Sequence, residues 1–85
     1  MEEESVFSVY VLKSINESKL YVGIAINVDE RLNEHNRGKS KYTKAFLPWL
    51  IIYQEPIGNS ELARKREKYL KSTAGKNFLR KMKII

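Results

Sequence analysis

Residues 20–36 read LYVGIAINVDERLNEHN. The stretch opens with the two-residue alternation of a strand and closes with the spacing of a helix. Leu20, Val22 and Ile24 fall on one face of the strand, and Tyr21, Gly23 and Ala25 on the other. Asn27, followed three residues later by Glu30, is a helix-start signature. The helix is predicted to run to about Asn36, with Gly38 as a natural C-terminal cap. Val28 and Leu32 then face the core. Arg31 and His35, four residues apart, stand one above the other at the margin of that stripe.

Working upstream, residues 7–14 alternate too: Phe7, Val9 and Val11 point one way, and Ser8, Tyr10 and Leu12 the other. The polar run 16–19 is turn-prone, so the two strands are predicted to form a hairpin. For Val9 and Val11 to share a face with Leu20, Val22 and Ile24, paired residue numbers must add to an odd value. That requires a loop of two or four residues, for example with Ile15 opposite Leu20. The same register places Tyr10 and Tyr21 together on the other face.

Downstream, residues 37–45 form a basic loop or short turn, and 48–54 (PWLIIYQ) a short buried third strand. Asn59 or Ser60 caps a further helix with the body ELARKREKYLKS. Its apolar stripe is Leu62, Ala63, Tyr69 and Leu70, with Glu67 at the edge and Arg66 near the middle, where only snorkelling accounts for it. Gly75 breaks the chain, and a last helix over about 76–82 turns Phe78, Leu79 and Met82 inward. The predicted fold class is α+β: a small three-stranded antiparallel sheet flanked by helices, in the order β-β-α-β-α-α. Its 85 residues make a single domain over 1–85, with residues 1–5 expected as a flexible N-terminus.

The chain has no cysteine and one histidine, which excludes a disulfide framework, a thiolate zinc site and a cysteine nucleophile. A divalent metal would be held mainly by oxygen ligands, pointing to magnesium or manganese. No apolar run approaches the ~18 residues of a membrane span, and the acidic start MEEES is unlike a secretory signal. A cytoplasmic protein without membrane contact is therefore expected. Net charge is +6 and uneven: residues 1–60 hold seven Lys/Arg against eight Asp/Glu, and residues 61–85 hold nine against two. A basic segment on a near-neutral body suggests an anionic partner, most often nucleic acid, as against a merely lysine-rich helical surface.

Tyr10, Tyr21, Arg31, His35 and Glu67 all sit at the margins of apolar faces. Together they contain the parts of a phosphodiesterase. Hydrolysis needs a water, a group to take its proton, and positive charge over the phosphorus oxygens. One carboxylate can hold Mg²⁺, because that ion keeps several waters. A guanidinium can bridge two phosphate oxygens. A tyrosine base, at an ordinary pKa near 10, needs a neighbouring cation or metal. Each residue also has an ordinary reading: packing tyrosines, an exposed helical histidine, Arg31 paired with Asp29 or Glu34, and Glu67 paired with Arg64 or Lys71.

The order of motifs resembles the GIY-YIG endonuclease domain over nearly the full length. Gly-Ile-Tyr corresponds to Ser8-Val9-Tyr10, and Tyr-Ile-Gly to Tyr21-Val22-Gly23. The helix arginine falls at Arg31 in VDERLNEHN, with His35 one turn later, and the metal-binding glutamate at Glu67 in ARKREKYLK. The stretch KSKYTKAFLPWLIIYQE is similar to the loop and third strand of small stand-alone members. Ser8 stands where the motif has its first glycine, and Ile24 where many members carry Lys or Thr.

The resemblance implies metal-dependent hydrolysis of a DNA phosphodiester, structure-selective and serving repair or recombination. Tyr21 would act as general base, and Tyr10 would position the water or the phosphate. Arg31 and His35 would bind the scissile phosphate, and Glu67 would be the one protein ligand of a Mg²⁺ or Mn²⁺ ion. Asn77 would fill the place of a late asparagine. Gly23, lacking a side chain, would let backbone and phosphate approach. Lys39, Lys41, Lys44, Arg64, Lys65, Lys68, Lys71, Lys76 and Arg80 are candidate phosphate contacts. Nothing resembles a base-reading module, so targeting would need DNA shape or a partner protein. The chain is expected as a monomer or weak dimer. Two other readings stand beside the nuclease: a nucleic-acid-binding module with weak or no turnover, and a protein-interaction domain with a basic surface.

Overall fold

The computed structural model describes residues 6–85; residues 1–5, expected as a flexible terminus, lie outside the described residues. Strands β1 (Phe7–Ser14) and β2 (Leu20–Ala25) pair antiparallel, with Val9 opposite Ile24, Val11 opposite Val22 and Lys13 opposite Leu20. The parity and the four-residue loop are among those predicted, but the register is shifted by two residues from the Ile15–Leu20 example, because Lys13 and not Ile15 faces Leu20. Ile15 has left the hairpin: its amide donates to the Pro48 carbonyl at 2.9 Å. The Ser14 amide donates to the Lys19 carbonyl at 3.0 Å, closing the turn over residues 15–18.

Strand β3 (Trp49–Gly58) joins the other side of β1, giving the order β2-β1-β3. It is longer than predicted because an edge strand accommodates Pro56, whose missing N–H can face outward. Helices α1 (Val28–Asn36), α2 (Ser60–Lys71) and α3 (Thr73–Lys81) complete the β-β-α-β-α-α fold, with one 3₁₀ turn at Thr43–Phe46. Asn27 caps α1 as predicted, accepting from the Glu30 amide at 3.0 Å. Asn59 caps α2, accepting from the Leu62 amide at 2.9 Å.

Both faces of the sheet are covered. Val9, Val11 and Val22 pack with Ala63, Leu70 and Leu79 of α2 and α3. Tyr10 and Leu12, on the opposite face, pack with Val28 of α1 and with Trp49, flanked by Tyr21, Leu32 and Phe46. The alternation of β1 therefore separates two thin cores, and its polar-looking face is buried as completely as the aliphatic one.

Four expectations for the C-terminal half change. On α2, Ala63 and Leu70 make the contact, while Leu62 and Tyr69 are exposed. Arg66 has an ion-pair partner: its Nε donates to Glu55 Oε1 at 2.8 Å, and its guanidinium lies 5.0 Å from the ring centres of both Tyr69 and Phe78. α3 ends in a turn with Lys83 at φ 60°, where the Ile84 amide donates to the Leu79 carbonyl at 2.8 Å. That reversal returns Ile84 to the core and leaves Met82 exposed.

The break between α2 and α3 is at Ser72, not Gly75. Ser72 ends α2 through its amide and starts α3 through its hydroxyl, which accepts from the Gly75 amide at 3.2 Å. Gly75 lies inside α3, where a Cβ would come 2.1 Å from the Tyr69 carbonyl oxygen. No side chain fits that helix crossing. Gly75→Ala is expected to destabilise the fold by about 2 kcal/mol or more, read from urea unfolding. Unchanged stability would show that the crossing can open.

Candidate functional site

Tyr10 pairs with Gly23 across the hairpin, so the Tyr10 ring lies over a residue without a side chain. A Cβ at Gly23 would come 2.6 Å from the Tyr10 hydroxyl and 3.0 Å from the Tyr21 ring. Gly23 is thus buried, and its missing side chain makes room for the phenol. The Tyr10 and Tyr21 rings are 6.2 Å apart, and Tyr21 meets the His35 ring edge-on at 4.8 Å.

α1 delivers His35 into this space, almost fully buried. Its Nε2 lies 3.1 Å from the Tyr10 hydroxyl, and its Nδ1 lies 2.8 Å from Thr43 Oγ1. The Trp49 indole N–H donates to the Thr43 carbonyl at 2.8 Å. Asn36 then brackets the Trp49 backbone, accepting from its N–H at 2.7 Å and donating to its carbonyl at 3.0 Å. Thr43 is itself fully buried, and His35 is the one hydrogen-bond partner of its hydroxyl among the described residues. A buried hydroxyl must place its hydrogen somewhere. This assigns Thr43 O–H as donor to Nδ1, and Nε2–H as donor to the Tyr10 oxygen. The Tyr10 proton is then free to point toward the site. Sequence reasoning missed Thr43, Asn36 and Trp49 as supports, because a threonine among lysines in KSKYTKAF reads as solvent-facing loop.

Burial raises the Tyr10 phenol to about 12, with Tyr21 adding to the rise and the Arg31 guanidinium opposing it. Burial, then the positive charge of Arg31, lowers His35 below its ordinary value, so the imidazole is neutral. Arg31 is partly exposed and donates to Glu34 at 2.6 Å. That bond holds the guanidinium charged and Glu34 ionised. Its reach to Tyr10 adds to the stabilisation of the guanidinium.

Glu67 comes from α2, on the far face of the sheet, and its Oε2 lies 3.1 Å from Lys71 Nζ. Its charge nevertheless acts on the Tyr10 phenol, and Lys71 lines a cavity shared with Tyr21. The two faces meet around the outer edge of β2. Asn77 is not brought to this cluster: it is exposed on α3, with its side-chain oxygen accepting from Arg80 at 3.0 Å. Lys39, Lys41 and Lys44 are exposed around the Thr43 turn, as are Arg64, Lys65, Lys68, Lys71, Lys76 and Arg80 on α2 and α3. Among the described residues no three His, Cys, Asp or Glu side chains group as metal ligands. A donor set of one carboxylate suits a hard ion that keeps its waters, and is unlike a zinc site.

The model of the GIY-YIG catalytic domain matches residues 6–83. The chain belongs to the GIY-YIG family. A UPF0213 protein of Staphylococcus aureus (strain Mu3 / ATCC 700698) is 38% identical over 76 residues, covering 88% of this chain and 92% of that protein. UPF0213 protein SH2523 of Staphylococcus haemolyticus (strain JCSC1435) is 38% identical over 65 residues, covering 75% of this chain and 78% of that protein. No solved structure matches the chain. In this GIY-YIG chain the two name-giving motifs are neighbours across one hairpin. The tyrosine that ends the first lies on the glycine that ends the second. A GIY-YIG catalytic domain is a nuclease domain with DNA as its substrate class. No helix among the described residues is long and apolar enough to cross a membrane.

Proposed function

We propose that this chain is a DNA endonuclease. Water attacks the phosphorus, the bond to one ester oxygen breaks, and a phosphate monoester and a hydroxyl result. The observation that carries the reading is the gathering of Tyr10, Tyr21 and His35 in mutual contact, with Arg31 one turn before His35 on α1. Tyr21 is the general base that takes the proton of the attacking water. Tyr10 stays protonated and presents its O–H to that water or to a phosphate oxygen. Arg31 neutralises charge on the phosphate, and neutral His35 holds Tyr10 in place. Glu67 is the side chain that would hold a Mg²⁺ or Mn²⁺ ion, which supplies positive charge beside the phosphate oxygens when bound. A role in repair or recombination, structure-selective cutting in the cytoplasm, and targeting by a partner protein belong to the same proposal.

A second reading draws on the ion pairs. Arg31 is engaged by Glu34, and Glu67 by Lys71. A module that binds DNA without turnover would keep both pairs in the complex. Incubation of the chain with branched, nicked and plain duplex DNA separates the two. Cutting with Mg²⁺ or Mn²⁺ that stops with EDTA supports the nuclease, whereas binding without cutting at any metal concentration supports the module. Binding itself is expected to be electrostatic. With four phosphate contacts, affinity should fall about 100-fold between roughly 50 and 200 mM salt. A flat salt response in fluorescence anisotropy would count against any DNA role.

A further inference from the structure

We propose that the cavity at the outer edge of β2 receives an unstacked nucleobase of the strand being cut, with a neighbouring phosphate on Lys71 and Lys76. The proposal rests on the nuclease reading and adds a substrate class: DNA with an unpaired nucleotide adjoining the scissile phosphate.

Strand β2 is bonded to β1 alone, so its other edge is free among the described residues. A cavity of about 250 Å³ wraps that edge. Leu20 and Val22 enter it from one face of the sheet and Tyr21 from the other, with Leu79 of α3 behind. Tyr42 forms the remaining wall. Its ring stacks on Tyr21 at 6.3 Å and 30°, and is backed by Phe46 at 5.4 Å. The ring is therefore held in place although Tyr42 is 52% exposed. A seated aromatic left open to solvent beside apolar floor residues is a stacking platform in search of a planar partner.

The size and charge select the occupant. The volume lies below the range of drug-sized sites, enough for one base but too small for a base pair. The two cations at its walls, Lys71 and Lys76, call for an anion beside the planar group. Lys76 forms no ion pair among the described residues. Lys71 touches Glu67 at 3.1 Å, so the mouth of the cavity abuts the carboxylate that would hold the metal. One nucleotide supplies both a flat apolar ring and a phosphate at the required sign. A base in continuous duplex is paired and stacked, and cannot enter without being drawn out.

The test uses the full chain in EDTA, so that binding is read without cutting. One probe is a single-stranded oligonucleotide, and the other is the same backbone with abasic residues through its centre. The wild type should bind the intact strand about tenfold more tightly than the abasic one. Tyr42→Ala should bind both alike, while its affinity for continuous duplex stays within about twofold. Tyr42→Phe, which keeps the ring, should behave as wild type. Equal binding of intact and abasic strands by the wild type overturns the base site even if duplex binding and cutting are strong. Tenfold discrimination that survives in Tyr42→Ala overturns the assignment to this cavity. Absence of cutting in a parallel incubation of the wild type with Mg²⁺ or Mn²⁺, with the discrimination in EDTA intact, removes the nuclease reading and leaves the base site standing as a binding site.

Discussion

Glu67→Gln is expected to slow DNA cleavage about a thousandfold while DNA affinity holds or rises. The substitution keeps the shape and one carbonyl oxygen but removes the charge that would hold a divalent ion. A loss of that size corresponds to about 4 kcal/mol of transition-state stabilisation, the order expected when a metal's charge is withdrawn from a developing phosphate charge. Binding moves the other way, because a negative charge beside the phosphate backbone is gone. Stability should hardly change. The pair with Lys71 joins neighbours one helical turn apart, and Lys71 is 56% exposed, so it is worth at most about 1 kcal/mol. Single-turnover cleavage, anisotropy and a urea curve on the same sample read the three quantities. A rate within tenfold of wild type would place the metal on another group and remove Glu67 from the site.

The lesson of the hairpin is that parity is legible and register is not. Burying Val9, Val11 and Val22 on one side required paired numbers to add to an odd value, and they do. The particular pair was decided by Ile15 bonding Pro48, 33 residues away in sequence, which no local pattern contains. Helix starts were legible for the same local reason, since Asn27 and Asn59 cap with their own side chains. The Gly75 expectation failed because a glycine signals both a break and a close crossing. Only the Tyr69 carbonyl, coming from another helix, tells them apart. At the site, the residues with reactive side chains stood out in the sequence. The supports did not. Thr43 acts through a buried hydrogen bond to His35, and Asn36 through two part-buried bonds to the Trp49 backbone; burial of a threonine in a lysine-rich loop leaves no periodic trace.

Those supports make the site acid-sensitive. His35 is depressed by burial and by Arg31 from an ordinary value of 6.5. Between its lowered folded-state value and 6.5, the unfolded chain holds a proton that the native chain does not. Stability therefore rises with pH through that window, is complete above 6.5, and is lost as pH falls below it. The slope approaches about 1.4 kcal/mol per pH unit where the difference is one proton. Protonation also puts a hydrogen on Nδ1, against the hydrogen of Thr43 Oγ1, in a space where that hydroxyl has no other partner among the described residues. Cleavage should fall with acid over the same window. Thr43→Val removes the donor while keeping the volume. It is expected to release the Nε2–H tautomer, loosen Tyr10 and slow cleavage about 10- to 100-fold, with Thr43→Ser restoring most of the rate. The chain has one histidine, so a long-range ¹H–¹⁵N spectrum shows a single imidazole and reads its tautomer directly. Nδ1–H in the wild type, or a tautomer unmoved by Thr43→Val, would show that Thr43 only fills space and that Tyr10 takes its orientation from elsewhere.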